Sequence, residues 1–251
     1  MAANGRPTPQ PNSPERPAFR DRQPEDYRNP EANPFVTTHR EFGLPLLPAS
    51  EAWTFRGRWQ DTFDREAPLW LEIGCGNGFF LRDVALAHPE ANIVGIEIRY
   101  KRTVMCAKKL VAAEVPNARI CRYHAGYLDD LFEPGSLQRI FVNHPDPWPK
   151  ERHEKNRLIS RWFLEDVVRY LAPGGIFQLK SDFPPNVERV EALLDHDEEG
   201  NPAERLPLEI RGMSEDIARD GAPWANDVIT NYQRKMALRG KRVLGIELVR
   251  T

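Results

Sequence analysis

Three prolines within five positions, Pro145, Pro147 and Pro149, constrain this chain more than any other feature. They fall in residues 143–157, which read Asn-His-Pro-Asp-Pro-Trp-Pro-Lys-Glu-Arg-His-Glu-Lys-Asn-Arg. Proline lacks the amide proton that both regular structures need, so neither a strand nor a helix runs through this stretch. The apolar run 138–142 must therefore end as a strand and hand over to a stiff, extended loop. That loop carries one carboxylate, Asp146, one large aromatic, Trp148, and then a cationic run of Lys150, Arg152, His153, Lys155 and Arg157. An acid and a ring on a rigid tip beside a basic patch describe an active-site rim facing a polyanion. They equally describe a solvated loop leading into a charged helix start.

The upstream sequence separates these readings. Residues 68–73 read as a buried strand running directly into Gly74-Cys75-Gly76-Asn77-Gly78, followed by a helical pattern over 79–88. Strand, glycine loop and helix make the nucleotide site at the first turn of a doubly wound sheet. The glycines admit close backbone approach, and the helix start offers unpaired amides. The spacing is Gly-x-Gly-x-Gly rather than the dinucleotide Gly-x-Gly-x-x-Gly, which disfavours a nicotinamide dehydrogenase. Asn92–Glu97 is a second strand with Glu97 at its end, nineteen residues after Gly78. A carboxylate there accepts both hydroxyls of a ribose; its other use is to cap the helix expected over 99–115. An adenosine ligand without a diphosphate needs no phosphate cradle, and neighbouring acids suit a ligand carrying positive charge. S-adenosylmethionine, with a sulfonium and an ammonium group, meets both conditions, and Glu72 is expected near its charged end.

A third strand is expected over 118–123, ending at His124, and a fourth over 139–143, delivering the proline loop to the same sheet edge. Apolar helical spacing over 158–171 stops at Pro173-Gly174-Gly175. A fifth strand, 176–180, ends in Ser181-Asp182 before a helix over 186–194. Residues 195–206 are polar and acidic, a turn. Strands over 208–213 and 243–249 enclose a segment containing Thr230-Asn231-Tyr232-Gln233, then Arg234, Lys235 and Arg239. The expected fold is α/β and Rossmann-like, a seven-stranded, mostly parallel sheet with helices on both faces.

Residues 1–34 are rich in proline, arginine and acids and are read as a disordered tail, because they offer little apolar surface to offset ordering entropy. Residues 35–251 form one expected domain, with 35–67 as an arm packing on it through Phe35, Leu44, Leu46, Leu47, Trp53, Phe55 and Trp59. His39, Arg56 and Arg58 in that arm are either phosphate contacts or surface charges. The net charge of −2 excludes a global basic field, so any RNA surface must be local. Three cysteines without metal-ligand spacing fit a reducing cytoplasm and no metal. No apolar run has the length of a membrane span.

The set Leu71-Glu-Ile-Gly-Cys-Gly-Asn-Gly78, Gly95-Ile-Glu-Ile98, Pro145-Asp-Pro-Trp-Pro-Lys150 with Arg152-His153, Leu179-Lys-Ser-Asp182 and Thr230-Asn-Tyr232 resembles the bacterial tRNA (guanine-N7)-methyltransferases, which have the class I methyltransferase fold. The resemblance runs from about residue 34 to 249 in the same order. It implies methyl transfer from S-adenosylmethionine to N7 of the variable-loop guanine, guanosine 46, in tRNA, by a cytoplasmic monomer or homodimer. By position it implies cofactor contacts at Glu72, Gly74, Gly76, Gly78, Glu97, His124 and Asp146, with Asp146 also the catalytic candidate. It places substrate contacts at Lys150, Asp182, Thr230, Asn231, Tyr232 and Gln233. The family usually has an acid at the position of His124 and Glu at that of Gln233. Imidazole still meets an adenine edge by a hydrogen bond, whereas glutamine keeps an acceptor oxygen without the charge. Methylation of an exocyclic base nitrogen remains an alternative, since those enzymes use an Asp/Asn-Pro-Pro-aromatic loop after strand four. So does a catalytically weak RNA-binding member of the fold.

Overall fold

The computed structural model describes residues 34–149 and 156–251. Residues 1–33 and 150–155 lie outside the described residues, and with them most of the expected tail and the candidates Lys150, Arg152, His153 and Lys155. In chain order the elements are α1 (Pro34–Glu41), β1 (Leu46–Leu47), α2 (Ala49–Ala52), β2 (Leu69–Ile73), α3 (Phe79–Ala87), β3 (Asn92–Glu97), α4 (Tyr100–Ala112), β4 (Ala118–Arg122), α5 (Leu128–Leu131), β5 (Leu137–Asn143), α6 (Arg161–Tyr170), β6 (Leu171–Ser181), α7 (Pro184–Ala192), β7 (Leu208–Ser214), α8 (Ile217–Asp220), α9 (Asn231–Ala237) and β8 (Leu244–Arg250). The strands form one eight-stranded sheet in the order β1-β4-β3-β2-β5-β6-β8-β7. Neighbours from β1 to β6 run parallel, and β8 is antiparallel to both β6 and β7. This is the class I methyltransferase architecture, with one strand more than the seven expected. The extra strand is β1, a two-residue piece of the arm that pairs with β4 through Leu46↔Ile120 and Leu47↔Cys121.

Every residue of β2 is buried, as expected of a central parallel strand covered on both faces. Its side chains alternate between two cores. Leu69, Leu71 and Ile73 join Phe163, Val167 and Phe177, whereas Trp70 joins Phe80, Leu81, Val104 and Leu110. Gly78 is the N-cap of α3 with φ +73°, and a Cβ there would meet Cys106 Sγ at 2.3 Å. Only glycine satisfies both the left-handed backbone and the close approach of α3 to α4.

Three local expectations change. The helix after the proline loop starts at Arg161 rather than 158, because the Ser160 hydroxyl accepts from Phe163 N and caps it. The residues before the cap form a connector, which brings Leu158 to the site. The helix ends earlier, at Tyr170, and the chain enters the sheet at Leu171, before Pro173-Gly174-Gly175. Leu137 pairs with Leu171 and Arg139 with Ile176, so the Pro-Gly-Gly piece is an irregularity inside β6. His39 is not a surface charge: it is buried, its ring edge-on to Tyr100 at 5.1 Å. Arg56 donates to the Asp129 carbonyl at 3.0 Å, and Arg58 pairs with Asp61.

The segment before α9 lies against β7 and β8 where both carry glycine. A Cβ on Gly212 would meet the Pro223 carbonyl at 2.7 Å, and one on Gly245 would meet the Trp224 ring at 3.2 Å. Among the described residues no helix is long and apolar enough to cross a membrane.

Candidate active site

The parallel strands β2 to β6 all end on one edge of the sheet, and a cavity of about 270 Å³ opens there. Its wall includes Gly74, Glu97, His124, Asn143, His144, Asp146, Trp148 and Leu158. Glu97 stands at the end of β3 and is buried. Its Oε1 accepts from the next two main-chain amides, Ile98 N at 3.0 Å and Arg99 N at 2.9 Å. Its Oε2 lies 3.6 Å from Arg102 Nη1 at the cavity wall. Main-chain anchoring fixes the carboxylate without using its second oxygen.

Glu72 sits beneath this cavity and not on its wall, with a relative exposure of 2%. Oε1 accepts from Asn143 Nδ2 at 3.3 Å, while Oε2 is buried with no hydrogen-bond partner among the described residues. Burial, only partly opposed by the Asn143 bond and reinforced by Glu97, raises its carboxyl to a pKa of about 8. Of the three loop glycines, Gly74 lines the cavity; Gly76 and Gly78 serve the turn and the helix start, both at positive φ. The His124 Nδ1 accepts from Gly126 N at 2.9 Å and caps the turn Ala125–Tyr127. Burial lowers the pKa of that ring, so the neutral imidazole carries its proton on Nε2. Asp146 is exposed at the cavity rim, two residues beyond His144.

The proline loop is shaped by two left-handed residues, His144 at φ 51° and Trp148 at φ 38°. The Arg157 Nε donates to the Trp148 carbonyl at 3.2 Å, tying the two ends of the loop. The His144 side chain reaches into a second cluster. Its Nε2 is 2.9 Å from the Thr230 hydroxyl, its Nδ1 is 3.7 Å from Asp182 Oδ1, and its ring packs on Tyr232 at 4.5 Å. The Tyr232 hydroxyl donates to Asp182 Oδ2 at 3.1 Å. Burial is the main cause that lowers the His144 pKa to about 4, so the ring is neutral. The Thr230 hydroxyl donates to Nε2, whereas Nδ1, facing Asp182, is buried without a hydrogen-bond partner among the described residues.

Thr230-Asn231-Tyr232-Gln233 also has the spacing of a capping box, and the Thr230 Oγ1 accepts from Gln233 N at 2.8 Å. Asn231 opens α9 and is half-buried. Gln233 is buried, and its amide oxygen accepts from Lys180 Nζ at 3.1 Å instead of reaching back to the cap. Beyond the cluster, Arg234, Lys235, Arg239, Lys241 and Arg242 are all exposed, with Leu238 89% exposed among them.

The structure thus gathers Glu97, His124, Gly74 and Asp146 around one cavity, and Asp182, Thr230 and Tyr232 into a cluster beside it. His144 belongs to both. Neither His144 nor Asn143 stood out in the sequence, although both sit at the end of a strand that delivers a proline loop. Lys180 and Asp227 were also passed over. The donor set fits S-adenosylmethionine: a buried carboxylate oxygen without a partner favours a cation, and Glu97 presents an acceptor at the strand end where a ribose is held.

The chain is similar to known methyltransferases. A family model described as a putative methyltransferase matches residues 66–215. The tRNA (guanine-N(7)-)-methyltransferase of Geobacillus thermodenitrificans is 34% identical over 205 residues, spanning 82% of this chain and 89% of that protein. That of Limosilactobacillus fermentum is 37% identical over 150 residues, 57% of this chain and 70% of the other. Among solved structures, the 16S rRNA methyltransferase KamB superposes with a TM-score of 0.56 at 16% identity, covering 78% of this chain and 93% of that one, which shows the shared fold. The chain therefore belongs to the tRNA (guanine-N7)-methyltransferase family.

Proposed function

We propose that this protein transfers the methyl group of S-adenosylmethionine to N7 of a guanine in tRNA, the variable-loop guanosine 46, and that it does so in the cytoplasm as a monomer or homodimer without a metal. One observation carries the reading: His144 joins the wall of the cofactor-sized cavity to the Asp182–Tyr232–Thr230 cluster, so a ligand and a base held on either side would meet beside Asp146.

When bound, S-adenosylmethionine supplies an electrophilic methyl group. Guanine N7 has an in-plane lone pair and carries no proton, so no side chain need act as a base, and alignment is what the protein must provide. Asp182 accepts from the donor edge of guanine, held in place by Tyr232 and His144. Glu97 fixes the ribose, Glu72 with Asn143 faces the cationic end, and the Nε2–H of His124 meets an acceptor on the adenine edge. Asp146 stands where the base becomes positively charged and stabilises that charge. The exposed cations from Arg234 to Arg242, with Lys150 and Arg152 on the proline loop, contact phosphates and orient the RNA without reading its sequence.

The test is incubation of unmodified tRNA with the labelled methyl donor, followed by mapping of the modified base. Label as 7-methylguanine in the variable loop is expected. Stable tRNA binding without label would favour a silent RNA-binding protein.

A further inference from the structure

The segment that carries Thr230 and Tyr232 is fastened to the sheet by one buried ammonium group. Lys180, near the end of β6, has a relative exposure of 2%. Its Nζ lies 2.6 Å from Asp227 Oδ1 and donates to the Val228 carbonyl at 2.9 Å and to Gln233 Oε1 at 3.1 Å. All three acceptors belong to the same segment, on both sides of Thr230. Asp227 is fixed in turn by Trp224, whose Nε1 donates to the same Oδ1 at 2.9 Å. The Trp224 ring packs over Gly245, the residue paired with Lys180 across the sheet.

Burial disfavours the charged form of Lys180, and a carboxylate beside it opposes that penalty. Gln233 reaches Lys180 but is neutral, so among the described residues Asp227 is the carboxylate in contact with it. We propose that Lys180, Asp227 and Gln233 form a one-charge lock that positions the 230–233 segment for the substrate, and that the single negative charge works at either 227 or 233. The amide of Gln233 is then not a lost function: the carboxylate has its place at Asp227, earlier in the same segment. These three are positioning residues, acting through Thr230, Tyr232 and Asp182. The proposal rests on reading 230–233 as the tRNA-facing segment.

The test compares wild type, Asp227→Asn, Gln233→Glu and the double variant Asp227→Asn/Gln233→Glu. Thermal midpoints are taken without ligands, S-adenosylmethionine affinity by calorimetry, and KM for tRNA from methyl transfer. Asp227→Asn leaves Lys180 uncompensated and should lower the midpoint by about 10 °C. It should raise the KM for tRNA about tenfold or more, because the substrate segment shifts, while cofactor affinity stays within about twofold. Gln233→Glu alone should cost less, since the added carboxyl can hold a proton beside Asp227. The double variant should recover both midpoint and tRNA KM to near wild type. Should Asp227→Asn fail to fold, a folded double variant is itself the rescue. A double variant no better than Asp227→Asn, or cofactor affinity falling as far as tRNA affinity, would overturn the lock. Wild-type protein that methylates no tRNA would instead overturn the substrate reading, and the midpoints alone would then decide the lock.

Discussion

Glu97 and Asp182 occupy matching places at the carboxyl ends of parallel strands, yet they are held by different means. Glu97 is gripped by the amides of the next two residues, so strand and turn alone orient it. Asp182 is held by side chains that arrive from elsewhere: Tyr232, fifty residues on, and His144 in the loop after β5. The cofactor half of the site is thus a main-chain construction, local in sequence. The substrate half is a side-chain construction assembled by topology. The first half should break under backbone changes, and the second under substitutions that leave the backbone alone.

The largest effect is expected from Gly78→Ala. The new Cβ meets Cys106 Sγ at 2.3 Å on a residue at φ +73°. Overpacking and left-handed strain together should cost about 2–4 kcal/mol of stability, visible as a lower midpoint in denaturant. A midpoint within error of wild type would show that the loop relaxes and that its tightness is not structural.

Glu97→Ala comes next. Loss of the ribose acceptor should weaken S-adenosylmethionine binding by about 1–3 kcal/mol in calorimetry. Its counterpart across the site is Tyr232→Phe, which removes one hydrogen bond to Asp182 and should weaken tRNA binding by about 1 kcal/mol with cofactor affinity unchanged. If each variant damaged both affinities equally, the division into two halves would be wrong.

These differences explain what the sequence disclosed. The strand–glycine loop–helix unit and Glu97 were legible because the glycine turn and the two amides that grip Glu97 are local in sequence, although the loop also leans on Ile96 and Cys106. The proline loop was legible as an exit from a strand, but not as the route that carries His144 to Tyr232, a contact between residues far apart in sequence. Strand β1 was hidden because two leucines make no pattern, and their partner in β4 is far along the chain. The late start of α6 had a visible signal, Ser160, that the apolar periodicity from Leu158 overrode. Gln233 looked like a missing charge because Asp227 meets Lys180 only in the fold.

A smaller effect concerns the proton on Glu72. Its carboxyl rises from an ordinary 4.5 to about 8 on folding, so the folded state takes up a proton between those values. Its contribution to stability is full below about pH 4.5 and is lost as pH rises through about 8. A cationic ligand favours the ionised form, so binding of S-adenosylmethionine at neutral pH should release protons. The calorimetric enthalpy should then depend on the ionisation enthalpy of the buffer, and Glu72→Gln should abolish that dependence. Equal enthalpies in two buffers for the wild type would remove Glu72 from the cationic end of the site.

The central claim is that the cavity and the Asp182 cluster bring a methyl donor to the N7 lone pair. A tRNA carrying 7-deazaguanine at the target position has a carbon in place of that lone pair and keeps its donor edge and every phosphate. The expected result is binding close to that of ordinary tRNA with no methyl incorporation. Methyl transfer to the deaza base at the same position would place the reaction on an exocyclic nitrogen and contradict the account.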